Sequence, residues 1–120
     1  MRTQVHLESA TAVILMAAVI QPNSLFQLGS IGMTQGVKAL KDENIVTNSI
    51  LLKLIYRHQK GDWTDCYPED AEANRKALVN GSRIFSVYHL NPELTVWIIT
   101  EAEDDKGNRH ATTFMLPNDY

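Results

Sequence analysis

The spacing of apolar residues changes character along the chain. The first feature is an apolar run, Ala10–Ile20, broken only by Thr11 and closed by the turn signal Pro22-Asn23-Ser24. Leu25–Met33 reads as an irregular strand with glycine interruptions at Gly29 and Gly32. Thr34 is placed to cap a short helix that runs through Val37 and Leu40 and ends near Asp42–Asn44. A second helix is predicted over Asn48–Gln59. Thr47, Asn48 and Ser49 supply cap candidates there, and Ile50, Leu51, Leu54, Ile55 and His58 recur at helical spacing before Gly61 stops it. Pro68, with Glu69 and Asp70 behind it, opens a third helix to Val79, terminated by Asn80-Gly81. The apolar residues of that helix, Ala71, Ala77 and Leu78, are mostly small, which fits a lid over the core rather than its centre.

From Ser82 the period becomes that of strands. Arg83–Leu90 and Leu94–Glu101 are rich in β-branched and aromatic residues and are joined by the turn Asn91-Pro92-Glu93. Val96, Trp97, Ile98 and Ile99 make the second strand apolar on both faces, as an interior strand requires. After the polar loop Glu103–Asn108, Ala111–Leu116 forms a third strand ended by Pro117. The expectation is an α+β fold. A three- to four-stranded antiparallel sheet, the C-terminal part a meander, is packed by two to three helices within a single domain, 1–120. Trp63 and Trp97 are both expected to be mainly buried and structural.

Composition narrows the function classes. With 120 residues, 44% of them apolar and 21% charged, the chain suits one globular core without staples. The single cysteine, Cys66, cannot form an internal disulfide, which points to a reducing, cytoplasmic setting. The run Ala10–Ile20 is shorter than the about 20 apolar residues that cross a bilayer. Glu8 precedes it and no Ala-x-Ala follows, so a buried helix or strand is expected and no membrane association. The net charge of −3 offers no general attraction for phosphate backbones, and sequence-specific DNA binding is not expected. The local basic group Lys53, Arg57, His58 and Lys60 suits the C-terminal end of a helix dipole.

Several motifs occur in one order: Leu28-Gly29-Ser30-Ile31, Met33-Thr34-Gln35-Gly36-Val37, Arg57-His58-Gln59-Lys60-Gly61-Asp62-Trp63, Gly81-Ser82-Arg83-Ile84-Phe85-Ser86, Trp97-Ile98-Ile99-Thr100-Glu101, Ala111-Thr112-Thr113 and Leu116-Pro117-Asn118-Asp119-Tyr120. Glu69-Asp70 and Asn74 fall in step with them. In this the chain resembles a family of small proteins encoded on bacterial plasmids, phages and integrative elements, some labelled plasmid-related or type I restriction-associated. Its patterns include R-H-x-x-G-D-W-G and W-I-I-T-E-A-D-R-S-A-T-T-x-L-x-P-x-x-Y. The match covers Leu28–Tyr120, so residues 1–27 stand as an N-terminal extension on a family-like core, 28–120. The chain departs from the pattern at Thr64, where the family has glycine, and at Glu103–His110, which lengthens a tight turn. The resemblance implies an accessory protein of a mobile element.

No cofactor is implied. Gly29, Gly32 and Gly36 lack dinucleotide or P-loop spacing, and no Gly-Lys-Ser/Thr occurs. His58, Asp62, Asp65 and Cys66 match no zinc pattern, so no metal is expected, and His58 is better explained as a histidine at the core edge bonded to a backbone carbonyl. Cys66 has no histidine and acid at a spacing that would activate it. Gly61-Asp62-Trp63 suits a helix stop in which Asp62 bonds turn amides and Trp63 packs inward. A salt bridge between Glu101 and Arg83 is expected across adjacent strands. Two functional readings remain. One is a non-enzymatic protein that binds a protein partner, with a restriction or CRISPR complex as target, through acidic runs at Asp62–Glu72 and Glu101–Asp105. The other is a small enzyme or small-molecule-binding protein whose pocket gathers Asp62, Arg83, Glu101 and Thr112. The binding candidates are therefore Asp62, Trp63, Arg83, Glu101 and Thr112.

Overall fold

The computed structural model describes residues 24–120 and the backbone of Val5–His6. The run Ala10–Ile20 lies outside the described residues. The elements, in chain order, are β1 (Val5–His6), β2 (Ser30–Thr34), α1 (Gln35–Asp42), α2 (Asn48–Gln59), α3 (Pro68–Asn80), β3 (Ile84–Asn91), β4 (Leu94–Thr100), β5 (Ala111–Met115) and a 3-10 turn at Pro117–Asp119. The fold is α+β, with a mostly antiparallel sheet concentrated in the C-terminal half of the chain. Among the described residues no helix is long and apolar enough to cross a membrane.

Each helix begins and ends for a local reason. Thr34 and Thr47 cap α1 and α2, their hydroxyls accepting from the Val37 and Ile50 amides. At the end of α2 the Gly61 amide donates to the His58 carbonyl and the Asp62 amide to the Arg57 carbonyl, with Gly61 at φ 75°. These paired bonds across a left-handed residue satisfy carbonyls that the helix leaves over. Pro68 opens α3 and Gly81, at φ 80°, closes it.

The sheet order is β1-β2-β5-β4-β3. The meander β3-β4-β5 is antiparallel, with Val87 opposite Trp97 and Ile98 opposite Phe114. β4 is interior, as its two-faced apolar sequence requires. β2 then adds to β5 in parallel, Ile31 beside Thr112, which makes the sheet mixed rather than wholly antiparallel. A parallel neighbour needs a long crossover, and here everything from α1 to β4 lies between β2 and β5. The irregular strand expected over Leu25–Met33 is regular only from Ser30. Leu25 instead donates its amide to the Gln59 carbonyl.

The main core lies between one face of the sheet and the first two helices. Ile31, Met33, Val96, Ile98 and Phe114 meet Val37, Leu51, Leu54 and Ile55 there. A smaller cluster of Trp63, Ala71, Ala77 and Ile84 joins α3 to the β3 side. Trp63 is 7% exposed, and Trp97 is partly buried on the sheet face away from the main core. Trp97 alternates with Val96 and Ile98 and so points to the opposite sheet face, where its ring meets Phe85 edge-on at 4.9 Å and Tyr120 at 6.0 Å.

α3 does more than cover the core, because it closes the outer edge of β3. Asn74 Nδ2 donates to the Phe85 carbonyl at 2.7 Å while its Oδ1 accepts the Phe85 amide at 2.9 Å. Farther along, Asp65 accepts the His89 amide at 2.9 Å. Side chains thus take the place of a further strand, and an edge that could recruit another chain is blocked.

Two close approaches fix glycine. A Cβ on Gly36 would sit 2.6 Å from Asp119 Oδ2, and that carboxylate accepts from Thr34 Oγ1 at 2.6 Å, seating the C-terminal turn on the start of α1. Gly29, at φ 65°, lies where a Cβ would be 2.3 Å from the His110 carbonyl carbon. Left-handed backbone and a rigid backbone obstacle act together there, so Gly29→Ala is expected to cost at least about 2 kcal/mol in a urea unfolding titration. An unchanged midpoint would show that the approach of β2 to the His110 segment relaxes freely.

Candidate functional site

The five binding candidates do not meet at one place. Asp62 lies just past α2, where Arg57 Nε donates to its Oδ2 at 2.6 Å and the Thr64 amide and hydroxyl donate to its Oδ1. The Arg57 hydrogen bond chiefly holds the Asp62 carboxyl below the usual range, against partial burial. Burial disfavours the Arg57 charge in turn, but Asp62 outweighs it and the guanidinium pKa is raised. The Arg57 guanidinium also stacks over the Tyr88 ring at 4.5 Å, and the Tyr88 hydroxyl donates to the Asp62 carbonyl at 3.0 Å. The pair is a clamp on the turn, as the helix-stop reading of Gly61-Asp62-Trp63 requires.

Arg83 and Glu101 make no ion pair among the described residues, contrary to expectation. Arg83 shares a sheet face with Phe85, two residues on, and its guanidinium lies 6.0 Å from that ring and 5.4 Å from the Tyr120 ring. Its Nη1 donates to the Tyr120 hydroxyl at 2.6 Å. Glu101 contributes backbone instead: its amide donates to the Ala111 carbonyl and its carbonyl accepts from Arg109, while its side chain is exposed.

Thr112 is fully buried. Its hydroxyl donates to the Leu28 carbonyl at 2.7 Å and lies 2.7 Å from the Thr100 hydroxyl. Thr100 lies 2.8 Å from His58 Nε2, His58 Nδ1 lies 2.6 Å from the Ser86 hydroxyl, and Trp63 Nε1 donates to Ser86 at 3.0 Å. Two of the five candidates, Trp63 and Thr112, are therefore joined through the core by a set of residues that sequence reasoning did not assemble. His58 corrects a second expectation. It is 0% exposed rather than at a core edge, and it bonds side-chain hydroxyls rather than a backbone carbonyl. Alternation along β3, β4 and β5 puts Ser86, Thr100 and Thr112 on the inner face, but which strands are neighbours is needed before that becomes a network.

The expected pocket of Asp62, Arg83, Glu101 and Thr112 is not assembled, since Thr112 is core and Asp62 is held by Arg57 in the turn after α2, while Arg83 and Glu101 flank the Ile84–Thr100 pair of β3 and β4. The donor atoms of the candidate metal set are also committed elsewhere: His58 to hydroxyls, Asp65 to the His89 amide, and the Cys66 thiol to the Phe85 carbonyl at 3.7 Å. Burial pushes the Cys66 thiol up, away from a reactive thiolate. The basic group is divided likewise: His58 is buried, Arg57 is paired, and Lys60 Nζ donates to the Tyr56 hydroxyl at 3.2 Å.

Arg109, which the sequence did not single out, is 3% exposed at the end of the long hairpin loop. Its guanidinium donates to the carbonyls of Ser82, Glu101 and Ala77, the last of these in the final turn of α3. Burial lowers its pKa and Glu103, 3.8 Å away, opposes that shift. A cation on helix-end carbonyls is favourable, so the loop between β4 and β5 is pinned to α3. At the exposed tip Asp104 accepts the Lys106 and Asn108 amides and contacts His110 Nε2 at 2.6 Å. These bonds, the Asn108 amide foremost, bring its pKa to about 2.

No family model matches the chain, and no curated protein or solved structure does either.

The buried imidazole sets a pH dependence. Desolvation, aided by the Arg109 charge, lowers its pKa from 6.5 to about 3. Protonation therefore favours the unfolded chain. The contribution of neutral His58 is complete above the unfolded value and is lost as pH falls from 6.5 towards 3. Stability is expected to drop by about 2 kcal/mol between pH 8 and pH 5, a range in which ordinary carboxylates stay ionised. Equal urea midpoints at those two pH values would count against a neutral buried His58.

Proposed function

We propose that the protein is a non-enzymatic accessory protein of a mobile genetic element that works in the cytoplasm by binding a protein partner. A host defence complex, restriction or CRISPR, is the target class. The observation that carries this reading is the placement of the two acidic segments. Glu69, Asp70 and Glu72 lie in the first turns of α3, whereas Glu103 docks at its far end, where its amide donates to the Gly81 carbonyl at 2.8 Å. The helix has 13 residues, so the two groups of carboxylates stand roughly 20 Å apart at 1.5 Å per residue.

Both groups are presented by anchored backbone. Asn74 holds the helix to β3 and Arg109 holds the loop to the helix. Glu69, Glu101 and Asp105 project into solvent. Carboxylates carried on anchored backbone at such a separation suit a partner with a basic groove built for phosphates. The burial of Thr112 and the pairing of Asp62 with Arg57 support this reading over a small-molecule pocket of Asp62, Arg83, Glu101 and Thr112, and the free Cys66 thiol accords with a reducing compartment.

The test is affinity capture with the intact protein as bait, identification of retained proteins by mass spectrometry, and repetition with Glu69→Gln, Glu101→Gln and Asp105→Asn combined. A nucleic-acid-binding protein retained by the parent, eluted by salt and lost with the charge-neutralised variant, at unchanged melting temperature, is the expected outcome. Capture indifferent to both salt and neutralisation would refute an acidic interface.

A further inference from the structure

Five hydrogen bonds run through the core from the turn after α2 to the segment before β2: Trp63 to Ser86, Ser86 to His58, His58 to Thr100, Thr100 to Thr112, and Thr112 to the Leu28 carbonyl. We infer that these bonds form a one-directional chain that locks His58 as its Nε2–H tautomer and holds the Gly61–Asp65 turn in one position on the sheet.

The direction follows from the two ends. An indole N–H can only donate and a carbonyl oxygen can only accept. Each hydroxyl between them has one proton to give. Thr112 gives its proton to the Leu28 carbonyl, so in its contact with Thr100 it accepts. Thr100 has then spent its own proton on Thr112 and must accept from His58, which puts a hydrogen on Nε2. The neutral ring has a lone pair on Nδ1, and Ser86 donates to it. Ser86 is left free to accept the Trp63 indole N–H. Each polar hydrogen in the series is then donated once.

The opposite tautomer breaks the series at Nε2. With hydrogen on Nδ1, Ser86 Oγ could accept it beside the Trp63 N–H, but the bare Nε2 would need a proton that Thr100 has already given to Thr112. His58, Ser86, Thr100 and Thr112 are all 0% exposed, so bulk solvent does not reach them to make good a lost partner. Phe26 packs edge-on against the imidazole at 5.0 Å, and the charge felt by the ring is that of Arg109. The links come from α2, the following turn, three strands and the segment leading into β2. The chain therefore fixes where the turn carrying Asp62 and Asp65 sits relative to the sheet.

The test is nitrogen-15 NMR of the histidine side chains in the intact protein, with His58 identified through contacts to the Ser86 and Thr100 β protons. The expected spectrum has a pyrrole-type Nε2 and a pyridine-type Nδ1, unchanged down to about pH 5, well below the ordinary histidine midpoint. A pyrrole-type Nδ1, an averaged pair, or titration near the ordinary value would overturn the inference. Ser86→Ala gives a second readout. Its His58 should keep the Nε2–H tautomer through the Thr100 link, while the Trp63 indole N–H loses its acceptor and exchanges faster with solvent. An indole exchange rate equal to that of the parent would show that Ser86 does not hold the turn and would also overturn it.

Discussion

A histidine ring removed from water has two nitrogens to satisfy, and leaving either without a partner forfeits much of what burial gains. His58 is placed inward by the same helical period that buries Leu51, Leu54 and Ile55, away from bulk solvent. Its requirement is met by Ser86 on β3 and Thr100 on β4. Those hydroxyls are useful only if the strands keep one register relative to α2, because a slip by one residue would replace each with a side chain from the other face. Apolar packing between Ile98, Phe114 and the helix tolerates many small displacements. The polar set tolerates few, and the arrangement of helix, turn and sheet is tied to it.

Local chemistry made much of the fold legible. The bounds of α1 and α2, the threonine caps, the stops at Gly61 and Gly81 and the strands of the meander all follow from short-range rules that read a few neighbouring residues at a time. What was not legible is non-local. The parallel pairing of β2 with β5 joins segments separated by most of the chain, and no periodicity encodes which strands become neighbours. Arg109 could not be singled out because its partners are backbone carbonyls from three places, and carbonyls carry no sequence signature. The expected Arg83–Glu101 pair failed for a related reason: opposite charges on adjacent strands suggest a bond, but aromatic rings on the same face gave the guanidinium a competing surface.

Several residues of the motifs found in the sequence make architectural contacts. Gly36 leaves room for Asp119, Asn74 bonds the Phe85 backbone, Arg57 clamps Asp62, and Trp63 reaches Ser86. Such a pattern specifies a scaffold. Of the exposed acidic residues that the proposed function relies on, Glu69 and Glu101 fall within the same motifs, while Asp105 lies on the loop that Arg109 anchors.

The side-chain closure of β3 also separates two kinds of protection that usually coincide. In most strands an amide resists hydrogen exchange because a neighbouring strand holds it, and it opens when the sheet opens. The amides of Phe85 and His89 are held by Asn74 and Asp65, which belong to α3 and to the turn before it. Their exchange therefore reports the undocking of that helix and turn while the sheet stays intact, giving two backbone probes of a local motion inside an otherwise folded molecule.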